Sequence, residues 1–444
     1  MECIINTKCG SIKGVHSSID GVIAFKGIRY ATAGRWEYPK QVTGWDGIYD
    51  ATKYGNCCYQ PRSFYNEEEN LKKIFYYNEF RKGEKYTYSE DCLFLNIWTP
   101  ESATEDSKLP VLFYIHGGGY TGGCGHEKHF DDPVWPKKGV IAVTINYRLG
   151  PLGFLCLPEL TEEAGHSGNY GLYDQMTALR WVYDNITSFG GDPSKITIMG
   201  QSAGAMSVQQ HCLSPLTDGL FRAAVMSSGC GMSNMLMTTA EKVYPFWQEV
   251  MKRLGCSNLE EFRAISPDKL FAEWSVAKKE IKGGVMSSCP IKDGHFVVDG
   301  ASPKQIPYII GANSHDMAPP ILHSLGKNWG KKELNQRYIY HFDRMLPGDK
   351  NGAWHSADLW YWFGTLKNCW RPMEDKDYDL SDKMTTYLCN FVKKGCPNDE
   401  NLPKWTTQNE SKKVMMLGEG DVRMDKPSMA KLVGIMMTTK AVGE

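Results

Sequence analysis

Gly200-Gln201-Ser202-Ala203-Gly204 sets a hydroxyl between two glycines where the chain changes character. Before it, Ile196–Met199 is a β-branched and apolar run, the composition of a buried strand. After it, residues 203–212 hold no proline, and no glycine beyond Gly204, so they can run as a helix. Strand, Gly-x-Ser-x-Gly turn and helix, in that order, form a nucleophile elbow. So tight a turn brings backbone against backbone and leaves no room for a Cβ, which is why glycines flank the serine. The chemistry expected of Ser202 is nucleophilic attack. The competing reading is an ordinary Gly-rich turn.

A serine hydroxyl is a weak nucleophile at neutral pH. It needs a base within hydrogen-bond reach, and the base needs a carboxylate that holds its tautomer. In folds built on this elbow the chain order is Ser, acid, His. Asp316 stands just after an apolar run at 307–311, where an acid is expected; Asp293 and Asp299 precede that run. Three downstream histidines are eligible bases: His323, His341 and His355. Position alone barely separates them, although the Gly352-Ala-Trp-His-Ser turn around His355 makes a suitable loop. Upstream, His116-Gly117-Gly118-Gly119-Tyr120 follows an apolar strand. Backbone N–H groups unshielded by side chains suit an oxyanion hole. His116 is expected to brace this loop.

These groups need a rigid frame. Short apolar strands are expected at 111–115, 140–146, 196–199, 223–226 and 307–311. Leu172, Met176, Leu179, Val182 and Ile186 recur at helical spacing. Alternating strands and helices predict an α/β protein, with a mostly parallel central sheet covered by helices on both faces. Such sheets bind ligands at the carboxyl ends of their strands, where the glycine loop and Ser202 lie. Residues 3–30 read as antiparallel strands. Residues 57–92 read as a charged surface excursion, and helices at 240–290 and 320–350 as a possible cap. A helix is expected at 381–392 and a final edge strand at 414–417. No repeat or linker divides the chain, so residues 1–444 are expected to form one domain.

The formal net charge is −1, from 50 basic and 51 acidic residues, and no long single-sign block occurs. That argues against nucleic acid or an anionic membrane as the partner. Fourteen cysteines are too few for a disulfide-dense scaffold of this length. No C-x-x-C pair occurs, so no zinc site, and no other metal or cofactor, is expected. No basic-then-apolar leader opens the chain, and no run approaches the length of a membrane span. The expectation is a cytoplasmic protein with reduced thiols and no membrane span, either monomer or homodimer.

Longer motifs carry a resemblance. They are Phe25-Lys-Gly-Ile-Arg-Tyr-Ala31, Ser89-Glu-Asp-Cys-Leu-Phe-Leu-Asn96, the 116–120 loop, Asn146-Tyr-Arg-Leu-Gly-Pro-Leu-Gly-Phe154, Gly168-Asn-Tyr-Gly-Leu-Tyr-Asp-Gln175, Phe189-Gly-Gly-Asp-Pro193 and the elbow itself. Together they resemble the type-B carboxylesterase (cholinesterase-like) family of the α/β-hydrolase fold, in its short bacterial form. The resemblance implies Ser202 as nucleophile and the N–H groups of Gly118, Gly119 and Ala203 as oxyanion hole. It implies Asp316 as acid, where family members usually carry Glu, so the histidine loop must sit closer. It selects His355 as base and Ser228 as a serine that hydrogen-bonds the acid. It pairs Cys58 with Cys92, as in secreted members; without an export signal the pair is expected to be reduced or optional, and the stretch between them to overhang the site.

Acid and base stand closer in this chain than in eukaryotic relatives, so their helical insert and any choline site are not carried over. The implied activity is hydrolysis of small carboxylic esters without a cofactor. An interfacial lipase and a non-catalytic binding protein are the rivals. Tyr120, Trp354 and Tyr361 stand near the motifs, with Trp360 and Trp370. They are candidates for a pocket accepting aryl or hydroxycinnamoyl esters, or else for core.

Overall fold

In the computed structural model of the chain, residues 3–71, 73–418 and 422–438 are described. The central sheet has eleven strands. In chain order they are β1 (Val15–His16), β2 (Val22–Arg29), β3 (Phe94–Pro100), β4 (Leu109–Ile115), β5 (Ile141–Ile145), β6 (Gly191–Gln201), β7 (Ala223–Ser227), β8 (Tyr308–Asn313), β9 (Arg337–Phe342), β10 (Val414–Leu417) and β11 (Arg423–Asp425). Their order across the sheet is β11-β10-β9-β8-β7-β6-β4-β5-β3-β2-β1. All neighbours from β10 through β5 are parallel, and the pairs at both margins are antiparallel. This is the α/β-hydrolase fold. The hairpin Ile4–Thr7 and Gly10–Lys13 lies in a separate three-stranded sheet with Ile48–Asp50.

Period-2 alternation splits each central strand between two cores. In β4, Val111, Phe113 and Ile115 enter one core while Leu112 and Tyr114 enter the other. On the first face lie α2 (Tyr170–Asn185), through Leu172, Leu179 and Val182, and α3 (Ala203–Leu213), through Ala205 and Val208. On the second lies α8 (Asp375–Lys394), through Met384, Leu388 and Phe391. Between them in sequence run α4 (Ala240–Arg253), α5 (Leu259–Ala264), α6 (Pro267–Glu280) and α7 (Pro319–Asn328). Helices α4 to α6 form a third core around Trp247, Phe262 and Trp274, packed on Leu152, Leu155 and Leu157.

Register places the site. Ile115 pairs with Gly200, Gln201 with Ser227, and Ser227 with Gly311. The carboxyl ends of β4, β6, β7 and β8 therefore line one edge, and Gly117, Ser202, Ser228 and Asp316, each within three residues of its strand's end, follow from neighbouring strands.

Four expectations change. The span 320–350 holds one helix, α7, and then β9, which is internal to the sheet. Strand 414–417 is not the edge, because β11 pairs beyond it. The excursion at 57–92 contains α1 (Ile74–Phe80), which ends on buried Glu79 and Phe80 and is followed by buried Arg81. Cys58 and Cys92 are joined in a disulfide: the backbone holds their Cα atoms 4.9 Å apart, within the span a disulfide bridges. The reduced reading rested on compartment and not on geometry. Among the described residues, no helix is long and apolar enough to cross a membrane.

Candidate active site

Ser202 sits between β6 and α3 with φ 57° and ψ −124°. That is a sparsely populated conformation for a residue with a side chain, at a cost of about 1–3 kcal/mol. Both flanking glycines are sterically required. A Cβ on Gly200 would stand 2.3 Å from the backbone of Gly204, and one on Gly204 would stand 2.1 Å from the Ile115 carbonyl oxygen. The Ser202 N–H donates to the Ser227 carbonyl at 2.9 Å, tying the elbow to β7.

The glycine loop lies directly against this turn. A Cβ on Gly117 would meet the Gln201 carbonyl oxygen at 2.6 Å and Ser202 Cβ at 3.0 Å. Gly118 has φ 109°, and a Cβ there would lie 2.1 Å from the Gly122 oxygen. Gly118 and Gly119 are exposed. Among the described residues, their N–H groups and that of Ala203, the first residue of α3, donate to no protein acceptor. His116 is buried, donates from Nδ1 to the Gly117 carbonyl at 2.8 Å and stacks on Tyr147. Burial pushes its imidazole below the usual range, although the Gly117 hydrogen bond acts the other way. A buried neutral imidazole bonded to its own loop fits a brace.

Asp316 is buried at the end of the loop after β8. Its Oδ2 accepts from Ser228 Oγ at 2.7 Å and from the Asn313 N–H at 2.9 Å. Its Oδ1 accepts from His355 Nδ1. The two loops are zipped together: the His315 N–H donates to the Ala353 carbonyl at 3.0 Å, and Asn313 Nδ2 to the Trp354 carbonyl at 2.8 Å. Gly352 is required at this crossing, because a Cβ would fall 2.3 Å from the His315 ring. This closeness lets the shorter aspartate reach the imidazole.

The His355 side chain is 11% exposed. Burial disfavours its charged form, but the Asp316 carboxylate outweighs burial through charge and hydrogen bond, and Asp358 adds to it; the imidazole is raised above its usual value. On its other side, His355 Nε2 accepts from Gln201 Nε2 at 3.1 Å. The neighbour of Ser202 thus occupies the nitrogen that faces the elbow.

The other candidates are engaged elsewhere. His323 and His341 pack against each other, and burial pushes them down to about 4 and about 3. Asp293 caps a turn through the N–H groups of His295, Phe296 and Val297, and Asp299 pairs with Lys292. The aromatic pocket is corrected. Trp354 and Tyr361 are fully buried core residues whose polar handles are met inside, Nε1 on Asp349 at 2.8 Å and the hydroxyl on Asp377 at 2.7 Å. Tyr120 is 1% exposed and packs on Phe154.

Three groups beside the site had no signal in the sequence. Asp358 is fully buried and accepts from Ser227, Tyr340 and Asn313, holding β7, β9 and the acid loop to the histidine loop. Tyr76 of α1 donates to the His355 carbonyl at 3.3 Å. Arg371 bridges Glu79 of α1 and Asp349 of the histidine loop.

Residues 2–337 and 319–433 match the profile of the carboxylesterase family. The para-nitrobenzyl esterase of Bacillus subtilis (strain 168) is 36% identical over 285 residues, 62% of this chain and 54% of that protein. A solved structure of a PNB esterase superposes with a TM-score of 0.81 at 26% identity, covering 98% of this chain and 99% of the other. An esterase from anaerobic Clostridium hathewayi, described as able to hydrolyse aliphatic aromatic polyesters, superposes with a TM-score of 0.82 at 25% identity, covering 98% of each chain. The chain spans about half the length of the curated relatives it matches.

Proposed function

We propose that this chain, which belongs to the carboxylesterase family, hydrolyses carboxylic esters through an acyl-enzyme on Ser202. The observation that carries the reading is the hydrogen-bond chain Ser228–Asp316–His355, whose free end reaches the strained turn that bears Ser202. Neutral His355 donates from Nδ1 to Asp316, which leaves Nε2 as the acceptor. Ser202 Oγ takes the place of the Gln201 amide at Nε2, passes its proton there and attacks the ester carbonyl. The developing oxyanion is received by the N–H groups of Gly118, Gly119 and Ala203. Each such donor is worth about 3 kcal/mol in the transition state. His355 then protonates the departing alcohol and activates water, which frees the acid and regenerates Ser202.

The test is Ser202→Ala assayed on p-nitrophenyl acetate, with mass mapping of the unaltered chain after exposure to an organophosphate. Turnover should fall about a millionfold, and the label should sit on Ser202. Retained turnover, or a label elsewhere, ends the account. Para-nitrobenzyl and aliphatic–aromatic esters, the substrates named for its relatives, are the first to compare by kcat/KM.

A further inference from the structure

Outside the triad, three side chains that ligate thiophilic metals converge from two segments. Cys57 and Cys58 form a short strand paired with Tyr88–Ser89. Neighbouring side chains on a strand point to opposite sides. Cys58 turns to its disulfide with Cys92, and Cys57 turns to Cys124 and His126. Cys57 Sγ lies 3.5 Å from His126 Nε2, and one ligand atom from each of the three residues lies within 4.8 Å of the others. Two ligands of a tetrahedral zinc ion, at about 2.3 Å for sulfur and about 2.1 Å for nitrogen, stand about 3.6 Å apart. The sulfur–nitrogen separation here already has that value.

We propose that Cys57, Cys124 and His126 bind a zinc-class divalent cation through two thiolates and one imidazole, with water in the fourth position. Donor chemistry sets the class, because two sulfurs and a nitrogen favour zinc over the oxygen-seeking magnesium and calcium. Two thiolates cancel the dication, so the site adds no net charge to a buried neighbourhood where Arg62 already pairs with Glu127 at 2.7 Å. The imidazole is held in orientation by the Tyr54 ring, stacked on it at 4.6 Å and 10°. His126 lines a cavity of about 440 Å³ together with Tyr54, Tyr86, Lys128 and Asp131, which gives an ion a way in and the fourth ligand a source. Cys124 follows Gly123, whose N–H and carbonyl are both held by the Gln60 side chain. The ion therefore ties the 57–60 segment to the end of the glycine loop, and its role is to brace. Cysteine spacing could not reveal this set, because its members come together only in the fold.

The experiment uses the full chain, stripped with a chelator under anaerobic conditions and titrated with Co²⁺ alone and then with Zn²⁺. A thiolate-to-cobalt charge-transfer band should saturate at one equivalent, vanish on adding zinc, and be lost in Cys124→Ser and in His126→Gln. It should persist in Cys156→Ser, which alters a buried cysteine outside the set. Should the variants misfold, the unaltered chain still decides, because its native mass must rise by one zinc ion when the stripped chain is titrated. The proposal is overturned by absence of a band at one equivalent, by a band that survives both substitutions, by a native mass that gains no zinc, or by peptide maps showing a Cys57–Cys124 disulfide. None of these readouts depends on ester turnover.

Discussion

Ser202 and the glycine loop are positioned by backbone packing, whereas Asp316 and His355 are positioned by side chains from distant parts of the chain. In the first half, Gly117, Gly200 and Gly204 admit approaches that a Cβ would block, and the shape is set within the segments themselves. In the second half, Ser228, Asn313, Tyr76 and Asp358 contribute hydrogen bonds, and Arg371 adds an ion-pair bridge from outside the loop. The difference predicts two kinds of failure. Damage to the backbone-built half removes transition-state stabilisation locally. Damage to the side-chain-built half spreads into stability, because its members are buried and hold each other.

Within the side-chain-built half the largest effect belongs to Asp316→Asn. The amide cannot hold the His355 tautomer, and kcat should fall about 10⁴-fold, as expected when a triad carboxylate loses its charge. Steady-state kinetics on p-nitrophenyl acetate measure it. A drop below tenfold would mean that the side-chain-built half does not serve the reaction.

Next comes Arg371→Met. Arg371 is 6% exposed and joins Glu79 to Asp349, and Asp349 also accepts from Trp354 Nε1 beside His355. The substitution strands two buried carboxylates, and breaking a buried pair costs about 3–5 kcal/mol. Urea denaturation should show that loss, and pairing the change with Glu79→Leu should recover part of it. Gly118→Ala is the counterpart in the other half. Its Cβ would fall 2.1 Å from the Gly122 oxygen, so the loop must shift and its N–H groups lose their aim. A fall in kcat of about 10²–10³-fold is expected, with a stability loss of about 1–3 kcal/mol from the positive φ, smaller than that of Arg371→Met because Gly118 and Gly119 are exposed and the loop can shift. A large stability loss in Gly118→Ala, or none in Arg371→Met, would erase the contrast between the halves.

The same contrast explains what was legible in the sequence. A backbone constraint writes itself locally as glycine, so the elbow, the glycine loop and the Gly352 turn can be read from short strings. The parallel strands β4 to β8 can be read too, because burial on both faces makes them continuous apolar runs. β9 was hidden. Its sequence, Arg337-Tyr-Ile-Tyr-His-Phe342, opens on an arginine and holds a histidine, yet every residue is buried. Arg337 is accommodated by the carbonyls of Lys327 and Trp329, partners that only the fold supplies. Helix α1 was hidden likewise: Glu79 reads as surface until Arg371 is placed beside it. Trp354 and Tyr361 failed in the opposite direction, since nearness to His355 in sequence suggested a pocket where the structure has core.

The smallest effect is a shift in pH dependence, and it tests whether the two halves meet at His355. The imidazole is raised above its usual 6.5 because Asp316, by charge and hydrogen bond, outweighs burial. A general base must be neutral, so the acidic limb of kcat/KM should have a pKa above 6.5. In Asp316→Asn the main raising cause is gone while burial remains and only the Asp358 charge still acts upward, so the acidic limb of the residual activity should move toward lower pH. Stability must run the other way. A group whose folded pKa is raised stabilises the fold below its unfolded pKa, and that contribution is lost as pH rises through the folded pKa. Across this window turnover should climb while the contribution of His355 to the denaturation midpoint declines. In Ser202→Ala the stability trend should persist, because Asp316 and not the serine sets the imidazole's charge. If removing Ser202 abolished it, the base would be tuned from the backbone-built half, and the division between positioning by backbone and positioning by side chain would fail at the one residue that joins them.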